Sequence, residues 1–328
     1  MIVTGRPNWT RPRRLRLLLT GIIVVASLFA LLALVEVYAR FVMGLGDPPL
    51  WIEDREIEYL PQPSKSYQRF GNRISYNAYS MRSRDFPRSK SDPAEVRVLV
   101  VGDSIVHGGS KTDQDALATT LLEKRLSKAL GRPVVVGNIS AGSWGPPNFL
   151  AYLKRFGLLE ADVVAIVVNS RDYADAPTFE PLDARRPQHK PRLALQEMYE
   201  KYIPRYAKRR VKSFHASRNI SPVDVKECLE ALREVIRLAR ASGAAVVLAQ
   251  YLKRSELENE PEIGYHEIAR VAKELGIEPV QLGEAFARAL EAGSDPYRDG
   301  NHPNERGQQI IAEWLFDPIR KAFSATER

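Results

Sequence analysis

The chain has 328 residues, of which 44% are hydrophobic and 27% charged, and its formal net charge is +8. This length and apolar content exclude a small disulfide-stapled protein and a disordered chain, and they fit one large domain with additions or two domains. The single cysteine, Cys228, excludes an internal disulfide and a multi-cysteine metal site. Residues 1–50 carry six Arg against Glu36 and Asp47, which is +4 of the +8, so the basic composition is weak grounds for a nucleic-acid partner.

Five arginines precede a run without charged residues at positions 17–35. A helix of that length spans about 28 Å, close to the hydrocarbon thickness of a bilayer. The pattern predicts a cytoplasmic basic segment (1–16) and a single-pass anchor in the cytoplasmic membrane (17–38), with the N-terminus inside and the C-terminal domain periplasmic or extracellular. The alternative is a signal peptide cleaved after Ala39, although the apolar run exceeds the usual length of such peptides.

Residues 39–93 are predicted to form a tether and an N-terminal extension. Glycine and proline residues interrupt any regular element between positions 44 and 70. Residues 72–82 alternate weakly and are expected to form a short strand pair. The compact domain is predicted to cover residues 94–328.

Within this domain, apolar strands alternate with helices that end at glycine. The predicted strands are 96–101, 133–137, 163–168, 244–248 and 278–282. The predicted helices are 114–130, 148–156, 225–241, 263–275 and 305–323. This order predicts an α/β domain with a parallel sheet covered on both faces, and ligands bind such sheets outside the carboxyl ends of the strands.

The first predicted strand ends in Gly102-Asp103-Ser104. A serine on a tight turn after a buried strand exposes its hydroxyl and has free backbone N–H groups beside it. Ser104 is therefore a candidate nucleophile whose own N–H can contribute to an oxyanion hole. The alternative is an ordinary turn in which Ser104 caps the following helix.

Asp299 and His302 lie just before the last predicted helix. An aspartate three residues ahead of a histidine can accept the imidazole Nδ1–H, which leaves Nε2 free to take a proton from a serine. The alternative is a capping turn with a surface histidine. The remaining histidines lack an aspartate so placed in a predicted strand-to-helix loop; they are His107, His189, His215 and His266.

Together, the two segments resemble the SGNH/GDSL hydrolase superfamily, whose first block is Gly-Asp-Ser and whose last block is Asp-x-x-His. The resemblance covers about residues 94–325. It implies a flavodoxin-like three-layer α/β/α sandwich, with Ser104 as nucleophile, His302 as general base and then acid, and Asp299 as the residue that orients His302. This chemistry needs no cofactor, and the sequence contains no Walker loop, dinucleotide fingerprint or metal-spaced ligand set, so neither a cofactor nor a metal is expected.

The second family block supplies a glycine N–H to the oxyanion hole. By the resemblance, Gly142 is the candidate donor here. Gly145 and the Ser143 N–H are alternatives, and both glycines can instead simply form a turn.

The third family block, Gly-x-Asn-Asp, ends in an asparagine donor and an aspartate. Here it reads Asn169-Ser170-Arg171-Asp172, with Arg171 in the place of that asparagine. Arg171 can substitute because a guanidinium offers five donors, and Asn169 can substitute after a shift of register. Otherwise Arg171 and Asp172 form a surface pair without a catalytic part.

Residues 173–223 are predicted to be a lid-like insertion, since loops of that length in a compact domain are usually functional lids or disordered inserts. Residues 193–214 have helical character and include a basic cluster that is expected either to bind an anionic polymer or lipid headgroups, or to be a solvated helix face. The cluster consists of Lys208, Arg209, Arg210 and Lys212. Trp144 and Tyr173 flank the predicted cleft, where they can stack on a sugar ring or simply pack.

These observations predict a serine esterase acting outside the cytoplasmic membrane on O-acyl groups, especially acetyl, of a surface or exported polysaccharide. An O-acetyltransferase with the same triad is an alternative, because only the acyl acceptor differs. A non-catalytic binding or assembly subunit is a second alternative, favoured by Arg171, and a lipase or thioesterase is a third. The expected partners are an acylated carbohydrate or other ester, the membrane and polysaccharide biosynthesis or export machinery, but not nucleic acid.

Overall fold

The computed structural model describes residues 10–203 and 220–326. The helices are α1 (Thr10–Phe41), α2 (Ser104–His107), α3 (Ala118–Leu130), α4 (Pro146–Phe156), α5 (Ala194–Glu197), α6 (Pro222–Ala241), α7 (Arg254–Glu258), α8 (Ile263–Glu274), α9 (Leu282–Glu291) and α10 (Glu305–Thr326). The strands are β1 (Trp51–Asp54), β2 (Glu58–Pro61), β3 (Lys65–Arg69), β4 (Asn72–Tyr76), β5 (Val96–Gly102), β6 (Val134–Ser140), β7 (Val163–Asn169), β8 (Ala245–Tyr251) and β9 (Val280–Gln281).

The central sheet is parallel, and its strand order is β6-β5-β7-β8-β9. Alternate residues of each strand face opposite helix layers, so Leu99 and Val101 pack with α4, α6 and α8, whereas Val98 and Val100 pack with α3, α9 and α10. Because both faces are buried, the strands read as continuous apolar runs. This is the predicted three-layer, flavodoxin-like architecture, and its switch point lies between the carboxyl ends of β5 and β7.

The predicted strands and helices of this domain are confirmed, with changed boundaries. The strand predicted at 278–282 is reduced to the two residues of β9, and the helix predicted from residue 114 begins with a separate 3-10 turn before α3. The sequence did not predict α7 and α9. Helix α9 starts directly where β9 ends, so no turn residue separates the two elements.

The expectation that residues 44–70 contain no regular element is wrong. Strands β1 and β2 form an antiparallel hairpin that buries Trp51, Ile57 and Tyr59 in the core beneath α4. The strand pair expected within 72–82 is formed instead by β4 and β3, and β3 lies before residue 72. Gly44, Gly46, Pro48 and Pro49 precede β1, Pro61 is the last residue of β2, and only Pro63 lies between two strands. The extension thus contributes to the folded domain.

Helix α1 is long and apolar enough to cross a membrane over Leu15–Phe41, by length and composition, and a signal sequence would pass the same test. Its side chains are largely exposed up to its last turns, where it contacts the insertion that contains α5. Helix α5 continues into one turn of π-helix, Met198–Tyr202. The predicted basic cluster at 208–212 lies outside the described residues.

Candidate active site

Ser104 is the first residue of α2 and follows the carboxyl end of β5. The preceding Gly102 is required by close packing, because a Cβ there would lie 2.5 Å from the Val106 side chain. Asp103, and not Ser104, caps the helix: its carboxylate accepts a hydrogen bond from the Ile105 N–H at 2.8 Å. The alternative role of Ser104 as a cap is therefore wrong, and its hydroxyl makes only a long hydrogen bond, 3.3 Å, to Asp103 Oδ2.

Gly142 faces Ser104 across the end of the sheet. A Cβ built on Gly142 would lie 4.0 Å from the Ser104 Cβ. The Gly142 carbonyl accepts hydrogen bonds from the Tyr59 hydroxyl (2.5 Å) and from Arg186 Nη2 (2.7 Å). Within the described part of the chain, no hydrogen bond uses the Gly142 N–H, which leaves this donor available. Gly145 instead packs at the start of α4, where a Cβ would lie 2.0 Å from the backbone of the insertion.

Asp299 and His302 lie in the loop before α10. The carboxylate of Asp299 accepts hydrogen bonds from the N–H groups of Asn301 (2.9 Å) and His302 (2.8 Å), and its two oxygens lie 3.0 and 3.1 Å from His302 Nδ1. Burial raises the pKa of Asp299, but these N–H groups and the imidazole outweigh burial, so that pKa lies below its ordinary value. An ionised Asp299 fixes a proton on Nδ1, and Nε2 then has a free lone pair.

Two polar contacts tie the His302 loop and the following helix α10 to the Ser104 turn, and a third ties the His302 loop to β8. Arg298 Nη1 donates to the Gly108 carbonyl at 3.2 Å, just after α2. Gln308 on α10 donates to the Ile105 carbonyl within α2 at 2.8 Å. Tyr251, at the end of β8, donates through its hydroxyl to the Asn301 carbonyl at 2.8 Å. These contacts, with the position of Gly142 opposite Ser104, bring Ser104, Gly142, Asp299 and His302 to the carboxyl edge of the sheet.

Asn169, at the end of β7, is committed to two carboxylates. Its Nδ2 donates to Asp103 (3.0 Å) and Asp172 (3.2 Å), and its Oδ1 accepts from the Arg171 N–H (2.8 Å). Both amide hydrogens are used, so Asn169 cannot also hold an oxyanion in this conformation. The alternative surface pair of Arg171 and Asp172 is wrong, because Asp172 is 0% exposed.

Arg171 follows on the turn after β7, and its side chain is exposed. No side-chain hydrogen bond or ion pair of Arg171 occurs among the residues that the structure describes. Its guanidinium therefore keeps its donors available to a ligand.

Asp103 and Asp172 form a buried carboxylate pair bridged by Asn169, which sequence reasoning missed. Burial raises the pKa of Asp103, and the hydrogen bond from Ile105 and the charge of His302 act in the opposite direction. Burial and the negative charge of Asp103 raise the pKa of Asp172 well above its ordinary value. The sequence signal was an aspartate close to the end of each of two adjacent strands.

The aromatic residues predicted to contact substrate pack in the protein instead. Trp144 is 1% exposed and lies against Tyr152, with ring centroids 5.9 Å apart. Tyr173 is buried against α8, where a Cβ on Gly264 would lie 2.4 Å from its ring. Neither ring presents a face to the cleft on which a sugar can stack, so these two assignments are wrong for this conformation.

His107 lies close to Ser104 in sequence but is buried below it. Its Nε2 pairs with the Tyr76 hydroxyl at 2.9 Å, and its Nδ1 accepts from the Gly109 N–H at 3.3 Å. Burial, with the charges of two arginines, lowers the pKa of His107 to about 3, so the imidazole is neutral. Both ring nitrogens are occupied, which leaves His302 as the histidine that can act as a base at this edge.

Residues 100–310 match the GDSL-like lipase/acylhydrolase family. No curated protein matches the chain. Similar solved structures include a lipolytic protein of the G-D-S-L family from Veillonella parvula (12% identity, TM-score 0.44, covering 69% of this chain and 99% of that one). An alpha/beta hydrolase enzyme from the metagenome of Lake Arreo is 17% identical with a TM-score of 0.46, and the match covers 69% of this chain and 95% of that one. An acetylxylan esterase from Geobacillus stearothermophilus is 15% identical with a TM-score of 0.44, and the match covers 68% of this chain and 94% of that one.

Proposed function

The chain belongs to the GDSL-like lipase/acylhydrolase family, as its first and last blocks predict, and within that family we propose that it is a serine esterase with Ser104 as nucleophile. The observation that carries this proposal is the carboxylate–imidazole pair of Asp299 and His302 in a loop bonded to the Ser104 turn. A binding subunit does not need an ionised aspartate that orients a histidine, or a serine whose hydroxyl is not used to cap a helix.

In the proposed reaction, the Ser104 hydroxyl turns from Asp103 towards His302 as substrate enters. Its Oγ attacks the ester carbonyl while His302 Nε2 takes the proton, and Asp299 stabilises the imidazolium. The N–H groups of Ser104 and Gly142 and the Arg171 guanidinium hold the oxyanion. His302 then protonates the leaving alcohol and activates a water molecule that releases the acyl group from Ser104.

The substrate proposed from the sequence is an O-acetylated polysaccharide at the cell surface or in export. An acyl acceptor other than water would make the same site an O-acetyltransferase, and the triad chemistry up to the acyl-enzyme is shared. Both versions place the domain outside the cytoplasmic membrane, next to its polymer.

We also propose that α1 is retained as a membrane anchor and not removed. The carboxylate of Glu36 accepts hydrogen bonds from the N–H groups of Ala194 and Leu195, each at 2.9 Å, at the start of α5. Arg40 donates to Glu36 and to the Arg192 carbonyl. Ala39, after which a signal peptidase would cut, is 1% exposed. Cleavage there would remove Glu36 and break the contact between α1 and α5.

The enzymatic proposal is tested with the full chain in detergent and 4-nitrophenyl acetate as substrate. Ser104→Ala and His302→Gln should each lower kcat by at least about 10³-fold, since triad members act as a unit. Ser255→Ala and His266→Gln are matched controls on exposed helix surfaces and should retain wild-type rates. A fluorophosphonate probe should label the wild type and not Ser104→Ala. Absence of both turnover and labelling in the wild type would favour the binding subunit.

A further inference from the structure

Arg186 reaches from the insertion to the rim of the site. Its Nη2 donates to the Gly142 carbonyl at 2.7 Å, and its guanidinium carbon lies 4.0 Å from the centre of the Tyr59 ring. Since Gly142 faces Ser104, the positive charge lies on the neighbour of the proposed nucleophile. No sequence pattern links these residues, because the insertion, a hairpin and the β6 loop each contribute one.

Arg186 makes no direct ion pair in the part of the chain that the structure describes. Its side chain is half-buried, and the adjacent Arg185 by contrast pairs with Asp183 at 2.7 Å. Withdrawing a charge from water without a counter-charge is costly. The Tyr59 ring compensates in part, because a guanidinium over an aromatic face is attracted to it.

Holding the Gly142 carbonyl does not by itself account for a guanidinium here. The Tyr59 hydroxyl already donates to the same oxygen at 2.5 Å. Arg186 uses one of its five donors on that carbonyl, and no hydrogen bond from its Nε or Nη1 occurs within the described ranges. The planar fork of such donors matches a carboxylate, and the charge strengthens those hydrogen bonds.

We infer that Arg186 forms a subsite for a carboxylate of the substrate, so that the acylated sugar is an acidic one of the uronic acid class. This inference rests on the proposed esterase function and adds the substrate class. The carboxylate would lie on the sugar that carries the scissile acyl group or on its neighbour, because Arg186 and Ser104 are separated only by Gly142. The fixed Tyr59 ring limits where the guanidinium can move, which favours one carboxylate position.

The test compares mono-O-acetyl methyl glucuronoside with mono-O-acetyl methyl glucoside, both acetylated at the same ring hydroxyl, which differ only at C6, a carboxylate in the first and a hydroxymethyl group in the second. For the wild type in detergent, kcat/KM should favour the acidic ester about tenfold, the gain expected of a partly solvated charge-assisted hydrogen bond. Arg186→Gln should bring this ratio to about one, Arg186→Lys should keep part of it, and Arg185→Gln should leave it unchanged. A wild-type ratio of one, or equal losses on both esters in Arg186→Gln, would overturn the inference.

A binding measurement separates this inference from the proposed function. With the Ser104→Ala variant, calorimetry should show tighter binding of methyl glucuronoside than of methyl glucoside, and Arg186→Gln in the same background should remove the difference. If the wild type hydrolyses no ester but this difference is present, the esterase proposal fails and the carboxylate subsite stands. If esters are hydrolysed without any such difference, the subsite fails alone.

Discussion

Arg171 is the residue at which this site departs most from the family pattern. The proposal that Arg171 completes the oxyanion hole rests on the amide of Asn169, whose two hydrogens are both used, and on the absence of a side-chain partner for Arg171 among the described residues. Arg171→Ala should therefore lower kcat on 4-nitrophenyl acetate about 10²–10³-fold with little change in KM, as loss of one oxyanion donor does. Arg171→Asn, which restores the family residue, should recover part of the rate.

Arg288 on α9 is the matched control for this prediction, because its side chain is exposed and pairs with Glu284 of the same helix. Arg288→Ala should behave as the wild type. A rate for Arg171→Ala equal to that of Arg288→Ala would show that two backbone N–H groups suffice for the oxyanion.

The buried carboxylate pair predicts how stability depends on pH. The pKa of Asp172 is raised by burial and by Asp103, so folding of the ionised chain must take up a proton, and this cost grows as pH rises above about 4, the ordinary aspartate pKa. Asp172→Asn removes the titrating group and so avoids that cost, but its amide can accept only one of the two hydrogen bonds that Asn169 donates to Asp172. The melting temperature of the variant relative to that of the wild type should therefore rise between pH 4 and pH 7.

Asp113 supplies a control of opposite sign. Burial raises its pKa, but the N–H groups of Asp115 and Arg73 outweigh burial and hold it below the ordinary value. Its contribution to stability is present at neutral pH and disappears as pH falls through that lowered pKa. Asp113→Asn should therefore lower the melting temperature at pH 7. Parallel pH profiles for the two variants would contradict a raised pKa of Asp172 in the folded protein.

At the scale of elements, the sequence predicted what periodicity and composition determine. Strands buried on both faces are visible as apolar runs, and strand-end motifs located Ser104 and His302 without knowledge of the sheet. Two features escaped for physical reasons. Helix α9 begins where β9 ends, and the β3–β4 hairpin turns on Phe70 and Gly71, both with positive φ, without the Asn or Asp that usually marks such a turn.

The pairing of distant segments was also out of reach of the sequence. Arg186 and Tyr59 meet over Gly142 only because the insertion and the β1–β2 hairpin pack on the same edge. Trp144 was predicted to flank the cleft because it lies in the loop after β6, but its side chain packs in the core. Side-chain direction depends on tertiary packing, which no local pattern records.

The N-terminal extension is expected to be essential for the fold of the catalytic edge. Arg82 is 0% exposed and donates to the carbonyls of His107, Gly109 and Thr112 in the loop that follows α2. Arg82→Met would leave three carbonyls without these donors, a cost of about 3 kcal/mol or more. Denaturant unfolding of the full chain in detergent should show this loss. The exposed Arg73, paired with Asp115, is the control: Arg73→Met should cost less than about 1 kcal/mol.

At the scale of the whole molecule, the apolar helix α1 is attached to the rest of the protein through its contact with α5. Glu197 of α5 is buried, pairs with Arg69 on β3 and accepts a hydrogen bond from the Gly46 N–H at 2.7 Å. Glu36 of α1 accepts a hydrogen bond from the first turn of α5. The insertion is thus bonded to α1 through Ala194 and Leu195 and to the Gly142 carbonyl through Arg186. A membrane-embedded α1 would hold the cleft at a fixed distance from the bilayer.

From this contact between α1 and α5 we expect the mature protein to keep its N-terminal helix. A chain tagged at its C-terminus and recovered from membranes should have an intact mass that includes residues 1–39, and alkaline carbonate should not release it. Both outcomes follow because cleavage after Ala39 would remove a packed residue from its contacts with Leu45 and Ala194 and leave the N–H groups of Ala194 and Leu195 without their acceptor. A mature N-terminus at Arg40, or release of the full-length chain by carbonate, would contradict the anchor.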